Sequence, residues 1–306
     1  MQPSSTRLRA RLRRLFELDL HPLTECPGAA TALPAPAGTV AVQLAFRSAS
    51  GEPVRGIWLR PEGAAPVPAV LVIHAHGNRH AIGADELLKG RPALQGPIGP
   101  ALAARGIASL CLDMPGFGAR LKAADGVANE CAAAKAALWH GRSLAGQMLG
   151  ENAWALGWLA AQPAVRADRL GVFGISMGAT LGYWLAAADL RVRALAHECC
   201  LADFAALIAS GAHDLHGPYL TVPGLLRIAP NGRIAGLVAP RAQFAGLGDR
   251  DPLTPPEATA PALAQLRAAY RRAGGTLQVH REPDEGHRET AAMRAAVLDF
   301  LAAELA

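Results

Sequence analysis

The chain has 306 residues, 51% hydrophobic and 18% charged, which is enough apolar surface for a sizeable core and too little charge for a long disordered region. Its formal charge of +5 sits largely at one end, in arginines 7, 9, 11, 13 and 14, and the near-balanced remainder has no basic stripe interleaved with aromatics to suggest nucleic acid. Five cysteines (26, 111, 131, 199 and 200) without a C-x-x-C pair indicate neither a disulfide framework nor a zinc ribbon and fit reduced cytoplasmic thiols.

Residues 6–19 place Leu8, Leu12, Leu15 and Phe16 at helical spacing, with Arg7, Arg11 and Arg14 on another face. This pattern predicts an amphipathic helix docked on the domain or on a subunit partner, being short for a membrane anchor. Glu17 and Asp19 interrupt the only candidate for a signal peptide's apolar core, and no stretch reaches the ~18 apolar residues of a membrane span. A soluble, cytoplasmic protein is expected. A Pro-rich connector over about 22–38 completes an N-terminal segment, 1–38, ahead of one α/β domain over 39–306.

From Thr39 the texture is β. TVAVQLAFRSAS and GEPVRGIWLRPE read as an antiparallel hairpin, and VPAVLVIHAHG as a strand covered on both faces. The apolar pattern recurs in GIASLCLDMPG, RLGVFGIS, VRALAHE, RAQFAGLGD and TLQVHRE, separated by Ala-rich helical stretches that include 143–161, 177–188, 257–273 and 288–304. Such alternation predicts a mostly parallel central sheet with helices on both faces. Ligands bind such sheets at the carboxyl ends of the strands, so chemistry is sought just after them. Two long excursions, about 115–142 and 203–238, leave from strand ends, where a cap over a site would be built. Cys199 and Cys200 close an apolar run and read as small buried side chains.

Gly174-Ile175-Ser176-Met177-Gly178 fits G-x-S-x-G, follows an apolar strand directly and opens a helix, which is the setting this motif requires. The glycines remove side chains that would collide as strand folds back to helix. The turn lifts the Ser176 hydroxyl above the sheet, and the N–H of Met177 is placed to stabilise an oxyanion. Serine needs a base, and the base needs an orienting group. His287, in PDEGH between the last strand and the last helix, has the position for the base; His280, inside that strand, is its rival. For the acid, Asp251 in GDRDPLTPP is preferred, with Asp249 and Asp203 as alternatives. The loop after the first central strand, His74-Ala75-His76-Gly77-Asn78, offers the N–H of Asn78 as second oxyanion donor. His74, His76 and His80 also resemble a zinc cluster. Asn78 and Arg79, however, stand where H-x-H-x-D-H needs an anionic ligand and a third histidine, so no metal and no cofactor are expected.

These pieces resemble the α/β-hydrolase superfamily, and within it the bacterial branch of dienelactone-hydrolase-like and acetyl-xylan-esterase-like proteins. HAHGN, DMPGFG (113–118), RLGVFGISMG, HGPYLTVPGLLR (216–227), LVAPR (237–241), GDRDPLTPP and GHRE carry the resemblance, from about residue 39 to the C-terminus. The resemblance implies a triad of Ser176, Asp251 and His287, an oxyanion hole from Met177 and Asn78, and cleavage of a small carboxylic ester through an acyl-enzyme. True dienelactone hydrolases use cysteine where this chain has Ser176. A thioesterase or acyltransferase with the same triad, or a ligand-binding relative without catalysis, is the alternative. Acyl and alcohol specificity and oligomeric state are left open.

Overall fold

The apolar runs that the sequence spaces at helix-length intervals are strands of one sheet, and their hydrophobic pattern decides where in it each lies. A computed structural model describes residues 4–26, 28–63, 65–122 and 125–306. Its strands are β1 (Thr24–Glu25), β2 (Thr31–Leu33), β3 (Thr39–Arg47), β4 (Pro53–Pro61), β5 (Val67–Ile73), β6 (Ala108–Leu112), β7 (Val165–Ile175), β8 (Val192–Glu198), β9 (Ala242–Gly248) and β10 (Leu277–Glu282). They pair in the order β1-β3-β4-β6-β5-β7-β8-β9-β10, with β2 also on β3. The six strands from β6 to β10 in that order are parallel; β1 to β4 join antiparallel, with β3 and β4 forming the expected hairpin.

Continuous apolar sequence occupies the middle. β6 and β9 are buried at every residue, and β5 is buried from Ala69 onward. The edge strand β10 has no fully buried residue: Gln278 and Arg281 are exposed and the other four are half-buried. Two apolar clusters lie on the two faces. One gathers Leu144–Ala160 and Met177–Ala188 with the N-terminal helix; the other gathers Ile98–Ala103 and the C-terminal helix Ala291–Leu305. After β5 the chain goes to β6 on one side and then to β7 on the other. The carboxyl ends of β5 and β7 therefore flank a crevice of the kind where open α/β sheets bind ligands.

The N-terminal helix is shorter than its periodicity suggests, Ser5–Leu15 rather than 6–19. Glu17 turns left-handed (φ 48°), and a single 3₁₀ turn, Leu18–Leu20, replaces the last α-turn. The helix docks on this chain's own domain. Leu8, Leu12 and Phe16 are fully buried, and the Phe16 ring lies 5.1 Å from that of Trp184. Its arginines serve backbone oxygens: Arg9 donates to Leu237 O, and Arg13 to Ala188 O (3.4 Å) at the end of Met177–Ala188, where a cation suits exposed carbonyls. The connector holds β1 and β2, too short for a period-2 pattern to show. The described cysteines are all free, with Cys111, Cys199 and Cys200 buried. Among the described residues no helix is long and apolar enough to cross a membrane.

Truncating Phe16 to Ala removes an aromatic from a dry contact and is expected to cost about 3–5 kcal/mol of stability in urea denaturation. A loss below about 1 kcal/mol, the scale of an exposed site, contradicts the docking described here.

Candidate active site

The turn after β7 has no room for side chains. Ser176 sits at φ 59°, ψ −120°, a conformation costing a non-glycine residue about 1–3 kcal/mol that the surroundings must impose. A Cβ on Gly174 would fall 2.3 Å from the Gly178 carbonyl group, and one on Gly178 would fall 1.9 Å from Ile73 O on neighbouring β5. Glycine at both positions lets the chain reverse against β5, and the helix Met177–Ala188 starts at once. Its first N–H groups, that of Met177 included, have no acceptor within the helix.

The structure brings Ser176, His287 and Asp251 together. Ser176 Oγ lies 2.8 Å from His287 Nε2, and His287 Nδ1 lies 2.7 Å from Asp251 Oδ2. A carboxylate accepts only, so the partners assign the ring proton to Nδ1 and leave a lone pair on Nε2 facing the hydroxyl. Asp251 is 1% exposed and further held by the Leu253 N–H (2.9 Å to Oδ1) and the Thr254 hydroxyl (3.0 Å to Oδ2). The loop bearing His287 is tied down two residues later. Glu289 accepts from the Gln95 N–H (2.8 Å) and from Arg294 Nη2 (2.7 Å), while its own N–H donates to Ala93 O (2.9 Å).

The alternatives are engaged elsewhere. His280 pairs with Glu282 (2.8 Å) on β10, Asp249 with Arg281 (2.7 Å), and Asp203 caps the helix Phe204–Ser210 through the N–H groups of Ala205 and Ala206. A cavity of about 390 Å³ lined by Glu52, Arg120, Lys122, Asn129 and Arg142, among others, lies beside the first excursion and includes none of the three central residues.

The loop after β5 turns through two residues of positive φ, Gly77 (51°) and Asn78 (52°). Glu86 accepts the Ala75 N–H (3.0 Å) and pairs with Arg91. His74 is fully buried; its Nδ1–H donates to Ala75 O (3.0 Å), its Nε2 accepts the Met114 N–H (3.3 Å), and burial lowers its pKa to about 4. The Asn78 N–H donates to His76 Nδ1 at 3.1 Å.

Sequence reasoning missed Glu130, on the helix Gly126–Trp139 of the first excursion. His76 Nε2 lies 2.6 Å and His80 Nε2 3.2 Å from its Oε2. Burial works to raise the Glu130 carboxyl, but the hydrogen bonds from His76 and His80 prevail and hold it below the usual range. Among the described residues, His76, His80 and Glu130 are the group whose donor atoms lie close enough, within 4.8 Å, to share a metal ion; His74 is not part of it.

A G-x-S-x-G turn at the end of a central parallel strand, followed in chain order by an aspartate and a histidine on later strand ends, is the arrangement of an α/β-hydrolase. The chain belongs to this family. It is 34% identical over 239 residues to YtaP of Bacillus subtilis (strain 168), a protein named as a hydrolase, covering 77% of this chain and 78% of that one. A Bacteroides fragilis NCTC 9343 protein named as an acetyl xylan esterase superposes with a TM-score of 0.71 at 17% identity, over 90% of this chain and 74% of that one. Acetyl Xylan Esterase 1 from Thermoanaerobacterium sp. JW/SL YS485 matches over the whole of both chains, with a TM-score of 0.63 and 18% identity. The fold is thus that of the acetyl-xylan-esterase-like branch. No family model matches the chain.

Two fully buried histidines set an acid limit on the fold. Burial lowers the pKa of His74 from its ordinary 6.5 to about 4 and that of His197 to about 3. Below pH 6.5 the unfolded chain therefore binds protons that the folded one refuses. Stability falls as pH drops from 6.5 toward 4, and the His197 contribution continues toward 3. Denaturation midpoints measured across this window should decline with acid, with a shallower slope in His197→Gln; an unchanged slope in that variant contradicts the assignment.

Proposed function

We propose that the chain is a serine-dependent carboxylic ester hydrolase with Ser176 as nucleophile, His287 as general base and acid, and Asp251 as orienting carboxylate. The observation carrying this reading is the pair of hydrogen bonds, 2.8 and 2.7 Å, linking three side chains from three strand ends. His287 Nε2 takes the hydroxyl proton as Oγ attacks the ester carbon. The tetrahedral oxyanion is stabilised by the N–H of Met177 at the helix start and by that of Asn78 across the crevice. His287 then protonates the leaving alcohol, and water repeats the sequence to release the acid. Asp251 holds the imidazole tautomer and stabilises the imidazolium; Thr254 and Leu253 keep the carboxylate aimed. The mechanism uses no cofactor. Neighbours of this fold are named as acetyl xylan esterases, which makes small acetyl esters, acetylated sugars included, the substrate class to assay first.

Ser176→Ala is expected to lower turnover of a chromogenic acetate ester by about 10⁴-fold or more with an unchanged circular dichroism spectrum. Retention of activity within about tenfold contradicts the mechanism. Asp251→Asn favours the wrong tautomer and should lower kcat by about 10⁴-fold. A loss of less than about tenfold removes Asp251 from its assigned role.

A further inference from the structure

We propose that Glu130 is a positioning residue: through His76 it fixes the orientation of the Gly77–Asn78 peptide, so that the first excursion braces the oxyanion loop. The inference rests on the role assigned above to the Asn78 N–H.

The hydrogen bonds determine where the protons are. The Asn78 N–H donates to His76 Nδ1, so that nitrogen carries no proton, and the ring proton is on Nε2, 2.6 Å from Glu130 Oε2. His80 donates a second N–H to the same oxygen (3.2 Å), and the Tyr219 amide a third to Oε1 (3.3 Å). One buried carboxylate from the first excursion thus gathers two imidazoles of the oxyanion loop and a backbone amide of the second excursion. Glu130 is 1% exposed, and the bonds it makes are correspondingly costly to break. The rings have little freedom: His76 stacks on Tyr219 (centroids 5.7 Å apart) and His80 on Phe117 (4.8 Å).

Both excursions approach this cluster through glycine. A Cβ on Gly217 would lie 2.9 Å from His76 Nε2 and 3.0 Å from Glu130 Oε1, and one on Gly126 would lie 2.3 Å from the His80 ring. During turnover the developing oxyanion, a charged acceptor, draws on the N–H that the neutral His76 nitrogen holds in the resting enzyme. What His76 fixes in advance is the plane of the Gly77–Asn78 peptide; its N–H serves the oxyanion as a shared, three-centre donor that keeps His76 Nδ1 as its second acceptor.

The same proton assignment decides against a metal among these three residues. A protonated Nε2 offers no lone pair, and moving its proton to Nδ1 would set it against the Asn78 N–H.

The test compares Glu130→Gln with Glu130→Met, side chains of similar length of which only the amide keeps an oxygen acceptor. Steady-state kinetics on a short acetate ester are measured with a chelator and then with added Zn²⁺. Glu130→Met should lower kcat by about tenfold to a hundredfold with KM within about threefold, short of the 10²–10³ for outright loss of an oxyanion donor. Glu130→Gln should recover most of that loss. Affinity for a trifluoromethyl ketone, which places an oxyanion in the hole, should fall in step with kcat/KM in the Met variant. If Glu130→Met does not fold, His76→Gln carries the test with the same separation of kcat from KM. Three results overturn the proposal: parental kcat in both variants, equal loss in both, or parental activity removed by the chelator and restored by Zn²⁺. Parental kcat beside an inactive Ser176→Ala overturns this inference and leaves the ester-hydrolase reading standing; an active Ser176→Ala removes both.

Discussion

The contact on which the rest depends is the approach of the Gly174–Gly178 turn to the backbone of β5. A hypothetical Cβ on Gly178 would lie 1.9 Å from Ile73 O, so the helix after Ser176 starts against the neighbouring strand with no side chain between. That closeness holds Ser176 at positive φ, brings its hydroxyl to the rim of the sheet and puts the Met177 N–H beside it. It also brings the turn next to the loop that leaves β5, so the two groups assigned as oxyanion donors come from adjacent strand ends.

Buried charge does the remaining alignment. Asp113 sits at the end of β6, accepting from Arg55 (2.8 Å) and from the amides of Ala84 (2.7 Å) and Ala119 (2.9 Å). Cβ atoms on Gly83 and Gly118 would lie 2.2 and 2.0 Å from its Oδ1, which accounts for glycine at 83 and at the end of the DMPGFG segment. Glu86 with Arg91 holds the start of the loop after β5, Glu289 with Arg294 the loop bearing His287, and Glu130 with His76 and His80 the far side of the loop after β5. Asp113, Glu130 and Glu289 collect donors from segments distant in sequence, whereas Glu86 takes its donors locally, from Ala75 and Arg91. A carboxylate buried without its donors is strongly disfavoured, so these loops have few alternative conformations. Rigidity here comes from satisfied polar groups as well as from apolar packing.

Much of this was legible in the sequence, for physical reasons that can be named. G-x-S-x-G reports a steric requirement local to five residues, and apolar runs report two-sided burial, so the central strands and the helix Met177–Ala188 could be read directly. His287 and Asp251 followed from chain order and strand ends, and the structure puts both within hydrogen-bonding distance of their partners. What could not be read depends on tertiary contact. Glu130 lies in an Ala-rich helix with little sequence asymmetry, and its partners are 50 and 54 residues away. The helix ending at Leu15 continues the leucine pattern beyond its terminus, because Leu18 is buried from a 3₁₀ turn rather than from an α-helix. Strands of two and three residues in the connector are shorter than any period can reveal.

The most direct test of the central claim is chemical. After treatment with a fluorophosphonate, peptide mapping by mass spectrometry should find a single adduct, on Ser176, formed far more slowly in a folded His287→Ala variant. An adduct on another residue, or labelling of Ser176 at an undiminished rate without His287, contradicts the account.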